Sequence, residues 1–154
     1  MSKKVLIANR GEISLRAIRA CKELGLKTVC IYSEGDKELK SLRFSDESVC
    51  VGPADPTKSY LDAPTILSAA DVTGSDAIYP GYGFLAEDHS FAEQCNLSGF
   101  KFIGPSSQTI RQMGDKITAK SIVTKYGIDG VPGYDKELPN NCLLYTSDAA
   151  DESS

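Results

Sequence analysis

The stretch of residues 79–87 (YPGYGFLAE) combines residue types that could form a ligand site. Two glycines flank an aromatic residue directly after a predicted buried strand. This arrangement lets the backbone approach a ligand closely and places the Tyr82 phenol in the crevice at the carboxyl edge of a sheet. The Glu87 carboxylate could hold a cation or orient a neighbouring group. A purely structural turn with a packed tyrosine uses similar residues, so spacing alone leaves both interpretations open.

Two further stretches lie where ligands bind in open α/β sheets. The first strand-to-helix turn, residues 9–12 (NRGE), holds a single glycine. The dinucleotide fingerprint G-x-G-x-x-G needs three glycines, so NAD or FAD binding has little support. The alternative is a purely structural tight turn, with Glu12 placed favourably at the N-terminus of a helix. Lys116 stands at the start of a later predicted helix, where a lysine is a compact point charge for phosphate, although most lysines at such places are solvated. No Ser/His or Cys/His arrangement predicts nucleophilic catalysis.

Arg16, Arg19 and Glu23 form a charged face on the first predicted helix. The spacing predicts two i,i+4 ion pairs, Glu12–Arg16 and Arg19–Glu23, each worth about 0.3 kcal/mol. Two interpretations of this face remain open. It is a solvated helix surface, or it is a two-fold contact in which Arg19 of one protomer meets Glu23 of another, since such contacts are self-complementary.

Alternating strands and helices position these residues. Short apolar runs predict five buried strands, within 4–9, 28–32, 48–51, 76–79 and 100–103. Helical periodicity predicts helices over about 12–24, 60–72, 88–97, 107–113 and 115–126, with Pro64 in the first turn of the second. Strands that alternate with helices in this way predict a single α/β domain with a doubly wound, mostly parallel, Rossmann-like sheet.

The composition excludes several classes of function. The 154-residue chain has 25% charged residues and a net charge of −4, so it lacks the basic surface of a nucleic-acid-binding protein. No apolar run is long enough to cross a membrane and no signal peptide precedes the first strand, which favours a cytoplasmic protein. The five cysteines form no CxxC pair. We therefore expect buried, reduced thiols and no zinc site.

Four stretches together resemble the biotin carboxylase family, in the family's order and spacing over residues 3–133. They are residues 4–13 (KVLIANRGEI), 19–25 (RACKELG), 80–85 (PGYGFL) and 113–116 (MGDK). The resemblance implies that residues 1–133 form a Rossmann-like N-terminal domain of the kind that precedes an ATP-grasp domain. It also implies an ATP-dependent ligase that uses bicarbonate and Mg²⁺ or Mn²⁺ to carboxylate biotin on a biotin carboxyl carrier protein, and that works as a homodimer.

The resemblance implies roles for residues of the matching motifs. Lys116 is expected to contact an ATP phosphate. The biotin side of the site is expected to comprise three residues of one loop, namely Tyr82, Gly83 and Glu87. The family's metal-binding glutamates, glycine-rich lid and biotin-handling arginine belong to later parts of its enzymes. No catalytic residue and no metal ligand is therefore expected within this chain.

The same resemblance places Arg16, Arg19 and Glu23 at the homodimer contact of the family, which favours the interface interpretation of the charged face. Two positions depart from the family pattern. The family usually has histidine where this chain has Tyr79 and serine where it has Ala86. We therefore assign no side-chain chemistry to these two positions.

The end of the chain has an interpretation of its own. Residues 134–141 are expected to begin a truncated ATP-grasp region. The tail comprises residues 142–154. Within it, residues 142–152 (CLLYTSDAADE) resemble a translated adapter of the kind used in sequencing libraries. We expect these last residues to be a non-native, disordered tail without function.

Three hypotheses for function remain. The first is the N-terminal part of a biotin carboxylase, which carries out the first half-reaction of acetyl-CoA carboxylase in fatty acid synthesis. The fragment alone is expected to be inactive, because phosphoryl transfer needs positioned metal and phosphate-binding groups. The chain begins three residues before its first strand, which favours this enzyme over the same domain of pyruvate carboxylase. The other two hypotheses are a stand-alone Rossmann-like module that binds a small anion and a dimerisation module that acts through its charged face.

Overall fold

A computed structural model describes residues 3–128, and a five-stranded sheet forms their centre. The strands are β1 (Lys4–Ile7), β2 (Lys27–Tyr32), β3 (Glu47–Cys50), β4 (Ala77–Tyr79) and β5 (Lys101–Phe102). They lie in the order β3-β2-β1-β4-β5, and every neighbouring pair is parallel. The direction of winding reverses at β1, so the sheet is doubly wound and the predicted fold class is confirmed.

Helices connect the strands or follow the last one. They are α1 (Gly11–Glu23), α2 (Ala63–Val72), α3 (His89–Leu97), α4 (Ser107–Gly114) and α5 (Lys116–Lys125). Each predicted strand and helix is present, with boundaries that differ by at most three residues. Short 3₁₀ turns at Glu34–Asp36, Lys40–Phe44, Pro56–Lys58 and Phe84–Glu87 were not predicted. Runs this short show no hydrophobic period that would distinguish them from loops.

Alternate side chains of the strands fill an apolar layer on each face of the sheet. On one face, strand residues such as Leu6 and Ile78 pack with residues of α2 and α3. On the other face, Ile7 packs against Ala17 and Ile18 of α1. Because parallel strands are covered on both faces, their sequences are continuous apolar runs, and this made them easy to predict.

Helix α2 begins at Ala63, three residues after the predicted start at Tyr60. Tyr60 lies in a turn, and its fully buried side chain belongs to the layer under α2 and α3. The apolar character of Tyr60 therefore reflects tertiary burial and not membership of the helix. Pro64 lies in the first turn of α2, as predicted.

The cysteine prediction is correct for three thiols and wrong for one, and the fifth, Cys142, lies outside the described residues. Cys21, Cys30 and Cys95 are buried and free, whereas Cys50 is exposed. Cys50 ends the edge strand β3, in which only Val49 packs on the core. Alternation along an edge strand turns the neighbouring side chains outward, so the apolar run did not imply burial of every residue.

The chain divides into two compact units, residues 1–111 and 112–154. In the second unit, α5 is preceded by Asp115, whose carboxylate accepts hydrogen bonds from the backbone N–H and the hydroxyl of Thr118. This is the N-cap arrangement preferred at helix starts. The predicted boundaries at residues 133 and 141, and the predicted tail, lie outside the described residues. Among residues 3–128, no helix is both long and apolar enough to cross a membrane.

Candidate functional site

The candidate site is the loop of residues 80–83, which leaves the carboxyl end of β4. Since β1 and β4 are neighbouring parallel strands, this loop lies beside the turn that follows β1. Tyr82 is 73% exposed. Its phenol is therefore available to a ligand and is not packed into the core.

Asn9 holds the loop of residues 80–83 from the end of β1. Its side chain is buried, with 0% exposure. The amide nitrogen donates hydrogen bonds to the carbonyl oxygens of Pro80 at 2.7 Å and Tyr82 at 3.0 Å. The amide oxygen accepts a hydrogen bond from the Arg10 backbone N–H at 2.9 Å. The whole carboxamide is thus committed to backbone groups.

The sequence-based prediction includes Asn9 in the turn of residues 9–12 but assigns its side chain no role. The available signal was its position: a polar residue directly after the buried strand β1, at the carboxyl edge where the Pro80-Gly81 turn also lies. That signal needs the strand order, because the two segments are 71 residues apart in the chain. Nothing local in the sequence predicts that β4 pairs with β1.

Gly81 is the point of closest approach between the loop and its support. Its φ is +71°, and a Cβ added there would lie 2.6 Å from Ile13 Cγ2 and 2.9 Å from Asn9 Nδ2. A side chain at this position is therefore excluded by both space and conformation. Gly83 has φ +66° with no atom within 4 Å of its added Cβ, so the space beside its Cα is open.

Phe84 follows the loop and is held by two side chains. It has φ +47°, the one positive value at a non-glycine position among residues 3–128. Its ring stacks on the Tyr60 ring, with centroids 5.2 Å apart and an interplanar angle of 19°. The Arg10 guanidinium lies 5.4 Å from the Tyr60 centroid and 5.6 Å from the Phe84 centroid. These distances fit cation–π contacts, and they fix the end of the loop.

One carboxylate oxygen completes this support. Asp36 Oδ2 accepts hydrogen bonds from the Tyr60 hydroxyl at 2.7 Å, from Ser33 Oγ at 3.0 Å and from Arg10 Nη1 at 3.2 Å. Partial burial opposes ionisation of Asp36, but these three donors together lower its pKa. Burial and the bond to Asp36 raise the pKa of Tyr60 to about 12. The group therefore keeps fixed charges at neutral pH and serves as a structural support. We call these residues the Arg10 brace: Arg10, Ser33, Asp36, Tyr60 and Phe84.

Two further residues are predicted to bind ligands, Glu87 and Lys116. Glu87 ends the 3₁₀ turn Phe84–Glu87 and is exposed. Lys116 is the first residue of α5, in the second compact unit. Within the described part of the chain, no group of three or more His, Cys, Asp or Glu side chains could hold a metal ion.

The charged face of α1 lies open. Arg16, Arg19 and Glu23 are all exposed. The predicted pairs Glu12–Arg16 and Arg19–Glu23 are wrong, because the ion pairs between residues 3 and 128 are Lys4–Glu47, Arg10–Asp36 and Arg43–Glu38. Exposed i,i+4 pairs gain too little to fix two long side chains in one geometry.

An apolar groove of about 360 Å³ adjoins this charged face. Its lining includes Val5, Arg16, Cys21, Leu24, Tyr79 and Ile103. Tyr79, one of the two positions that depart from the family pattern, therefore packs on the α1 side of the sheet and lines this groove. A charged patch beside an exposed apolar groove is more typical of an interface than of a solvated helix surface.

Residues 1–110 match the sequence model of the biotin carboxylase N-terminal domain. The chain belongs to the biotin carboxylase family. The biotin carboxylase of Pseudomonas aeruginosa is 58% identical to it over 141 residues, which are 92% of this chain and 31% of that protein. A pyruvate carboxylase component of Methanothermobacter thermautotrophicus is 48% identical over 136 residues, which are 88% of this chain and 28% of that protein.

A solved structure agrees with this assignment. The biotin carboxylase domain of the 2-oxoglutarate carboxylase from Hydrogenobacter thermophilus is 44% identical with a TM-score of 0.86, covering 100% of this chain and 33% of that chain. That structure is a dimer in complex with MgADP, ADP and bicarbonate. The chain thus spans about a third of the length of these relatives.

Proposed function

We propose that this chain is the N-terminal part of an ATP-dependent biotin carboxylase, a ligase that carboxylates biotin on a carrier protein with bicarbonate. The observation that carries this proposal is the match of residues 1–110 to the family's N-terminal domain. The loop with an exposed tyrosine at the carboxyl edge of the doubly wound sheet agrees with it. The ADP, magnesium and bicarbonate bound to a 44% identical domain support these substrates.

In this proposal, Tyr82 and Gly83 line the biotin side of the active site. The exposed phenol offers a flat face and a hydroxyl, which suit the ureido ring of biotin. The open space beside the Gly83 Cα lets that ring come close. Glu87, exposed at the end of the same segment, borders this side, and Lys116 contributes a point charge to an ATP phosphate.

The described residues do not fit a divalent cation, since they bring together no cluster of acidic or imidazole ligands. We therefore assign no step of phosphoryl transfer to them. The Mg²⁺ or Mn²⁺ that accompanies ATP is held, in this proposal, by other parts of the family's enzymes. We expect the 154-residue chain alone to show no biotin-dependent ATP hydrolysis.

For the final acceptor of the carboxyl group, we propose acetyl-CoA, which makes this chain part of an acetyl-CoA carboxylase and gives it a role in fatty acid synthesis. Identity is 58% to a relative named simply biotin carboxylase and 48% to a protein named for pyruvate carboxylase. The same domain of a pyruvate carboxylase is the alternative. The partners in either case are a biotin carboxyl carrier protein and a second copy of the enzyme, which Arg16, Arg19 and Glu23 contact.

A domain exchange tests the proposal. The N-terminal domain of the Pseudomonas aeruginosa enzyme is replaced by residues 1–110 of this chain, and ATP hydrolysis is measured with and without free biotin. We expect biotin-dependent hydrolysis in the presence of bicarbonate. A folded chimera of the correct assembly size without this activity would contradict the proposed function.

Two variants of the chimera test the biotin side. Tyr82→Ala is expected to raise the KM for biotin about fivefold, the loss of about 1 kcal/mol of aromatic contact, and to leave the KM for ATP unchanged. Leu97→Ala, which truncates another exposed apolar side chain, is the matched control and should change neither constant.

Calorimetric titration of the 154-residue chain with ATP, ADP and bicarbonate separates the proposal from a stand-alone anion-binding module. We expect no tight binding, because a single lysine cannot offset the cost of ordering a nucleotide. Micromolar binding of any of the three ligands would favour the module.

A further inference from the structure

We infer that Asn9 is a positioning residue, whose buried carboxamide sets the path of residues 80–83 and thereby the direction in which Tyr82 and Gly83 face. That Tyr82 and Gly83 contact biotin rests on the proposed function. The placement of the loop by Asn9 rests on the geometry alone.

The two carbonyl groups bound by Asn9 lie on either side of Gly81. One nitrogen, Asn9 Nδ2, donates to Pro80 O at 2.7 Å and to Tyr82 O at 3.0 Å. The carboxamide oxygen is tied in turn to the Arg10 backbone N–H at 2.9 Å. The Asn9 carboxamide therefore cannot rotate without breaking hydrogen bonds at both its nitrogen and its oxygen. A rotation of the loop would leave the buried Asn9 Nδ2 donor unpaired.

The Tyr82 hydroxyl forms no hydrogen bond with another residue between 3 and 128. The Tyr82 ring is largely exposed and forms no aromatic pair, since the ring pairs among residues 3–128 are Tyr60–Phe84 and Phe91–Phe102. The backbone of residue 82 thus sets the position and direction of the Cα–Cβ bond from which the phenol extends. Asn9 holds the backbone carbonyls of residues 80 and 82, and the Arg10 brace holds the chain at residue 84.

Only a residue with the hydrogen-bonding pattern of asparagine serves this purpose. In Asn9→Asp, a carboxylate oxygen of nearly the same shape would face two carbonyl oxygens at the distances now occupied by a donor. The substitution keeps the volume and reverses the interaction. The loop then loses its attachment while the sheet below retains its packing.

Nitrogen-15 relaxation on the 154-residue chain tests the inference. In Asn9→Asp, the backbone order parameters of residues 81–83 are expected to fall from about 0.85 to below about 0.6. Asn96→Asp, at an exposed position of α3, controls for the added charge. Ile66→Val removes a buried methylene from the core and controls for lost stability. Unchanged order in Asn9→Asp, or an equal fall in Ile66→Val, would overturn the inference.

A measurement on the unmodified chain guards against a variant that fails to fold. The side-chain amide protons of Asn9 are expected to exchange with solvent about 100-fold more slowly than those of the exposed Asn96. Equal exchange rates would show that the carboxamide does not hold the loop, and would overturn the inference without any substitution.

The chimera separates this inference from the proposed function. There, Asn9→Asp is expected to raise the KM for biotin about as much as Tyr82→Ala does and to leave the KM for ATP unchanged. An inactive chimera combined with a mobile loop in Asn9→Asp contradicts the proposed function and retains the positioning role. A rigid loop in Asn9→Asp removes the positioning role, whatever the chimera does.

Discussion

The Tyr60 hydroxyl donates a 2.7 Å hydrogen bond to Asp36 Oδ2, and the same oxygen accepts a hydrogen bond from Arg10 Nη1. Tyr60 is fully buried and also accepts a hydrogen bond from the Ser33 backbone N–H at 3.0 Å. The pair joins the carboxyl end of β2 to the turn that precedes α2. Because Arg10 lies over Phe84 as well, the same carboxylate fixes the cation that supports the candidate loop.

Removing the Tyr60 hydroxyl should destabilise the fold. In Tyr60→Phe, the Ser33 N–H loses its buried acceptor and Asp36 loses a donor, so we expect a cost of about 1–3 kcal/mol. The free energy of unfolding by urea measures this cost. Tyr82→Phe, the same change at an exposed ring, should stay within about 0.5 kcal/mol of the parent. Equal stabilities of the two variants would contradict the role assigned to Tyr60.

Stability should fall in acid through Asp46. Its Oδ2 accepts hydrogen bonds from the Thr28 hydroxyl at 2.7 Å and the Thr28 backbone N–H at 2.8 Å. These bonds lower the pKa of Asp46 below its ordinary value of 3.8. A carboxyl whose pKa is lower in the folded than in the unfolded state stabilises the fold above the unfolded value, and this contribution is lost as pH falls through the folded value.

We therefore expect the free energy of unfolding to decline as pH drops below about 4, and the decline to be shallower in Asp46→Asn. Chemical denaturation at a series of pH values provides the measurement. Asp71→Asn, which removes an exposed carboxylate of α2, serves as the control and should keep the parental slope. A parental slope in Asp46→Asn would show that its hydrogen bonds to Thr28 do not persist in solution.

Alanine should be tolerated less well at Gly81 than at Gly83. Both glycines have positive φ, and Gly83 combines φ +66° with ψ −169°, so each substitution incurs about 1–3 kcal/mol of backbone strain. Only at Gly81 would the new Cβ also collide, with Ile13 and with Asn9. We expect Gly81→Ala to lower the midpoint of thermal unfolding clearly more than Gly83→Ala does. Equal midpoints would mean that the loop moves away from its support without cost.

Thiol reactivity should distinguish one cysteine from three others. Cys50 is exposed, so we expect iodoacetamide at pH 8 to modify it before Cys21, Cys30 and Cys95 in the folded chain. Burial raises the pKa of Cys30 and of Cys95 to about 12 and also raises that of Cys21, which leaves little reactive thiolate. Peptide mass mapping over time gives the order of modification. Early modification of Cys30 or Cys95 would contradict the described burial.

Charge reversal tests the proposed contact between two copies of the enzyme. In the chimera, Arg19→Glu is expected to weaken dimerisation about tenfold, and adding Glu23→Arg to restore it, because a two-fold contact brings the two positions together. Sedimentation equilibrium measures the dissociation constant. Arg43→Glu, at an exposed arginine of another segment, is the control. A double variant as weak as the single one would remove this pair from the interface.

The strands were predictable as short continuous apolar runs, and the helices because their apolar residues repeat at the helical interval. The runs that became β1 and α1 indicated both the elements and their order in an alternating fold. Tyr60 and Asn9 were misjudged or missed for the opposite reason. Their neighbours in space come from other segments, so the burial of one and the hydrogen bonds of the other depend on strand order, which no local pattern contains.

The pairing of β1 with β4 also governs when the candidate loop can form. Asn9 is made early in synthesis, whereas Pro80 and Tyr82 follow more than seventy residues later. A nascent chain can assemble β1, α1, β2 and β3 from nearby segments, yet its Asn9 amide then has no loop to bind. Long-range closure carries the larger entropic cost and comes late. Ordering of Tyr82 therefore indicates that β4 has joined the sheet.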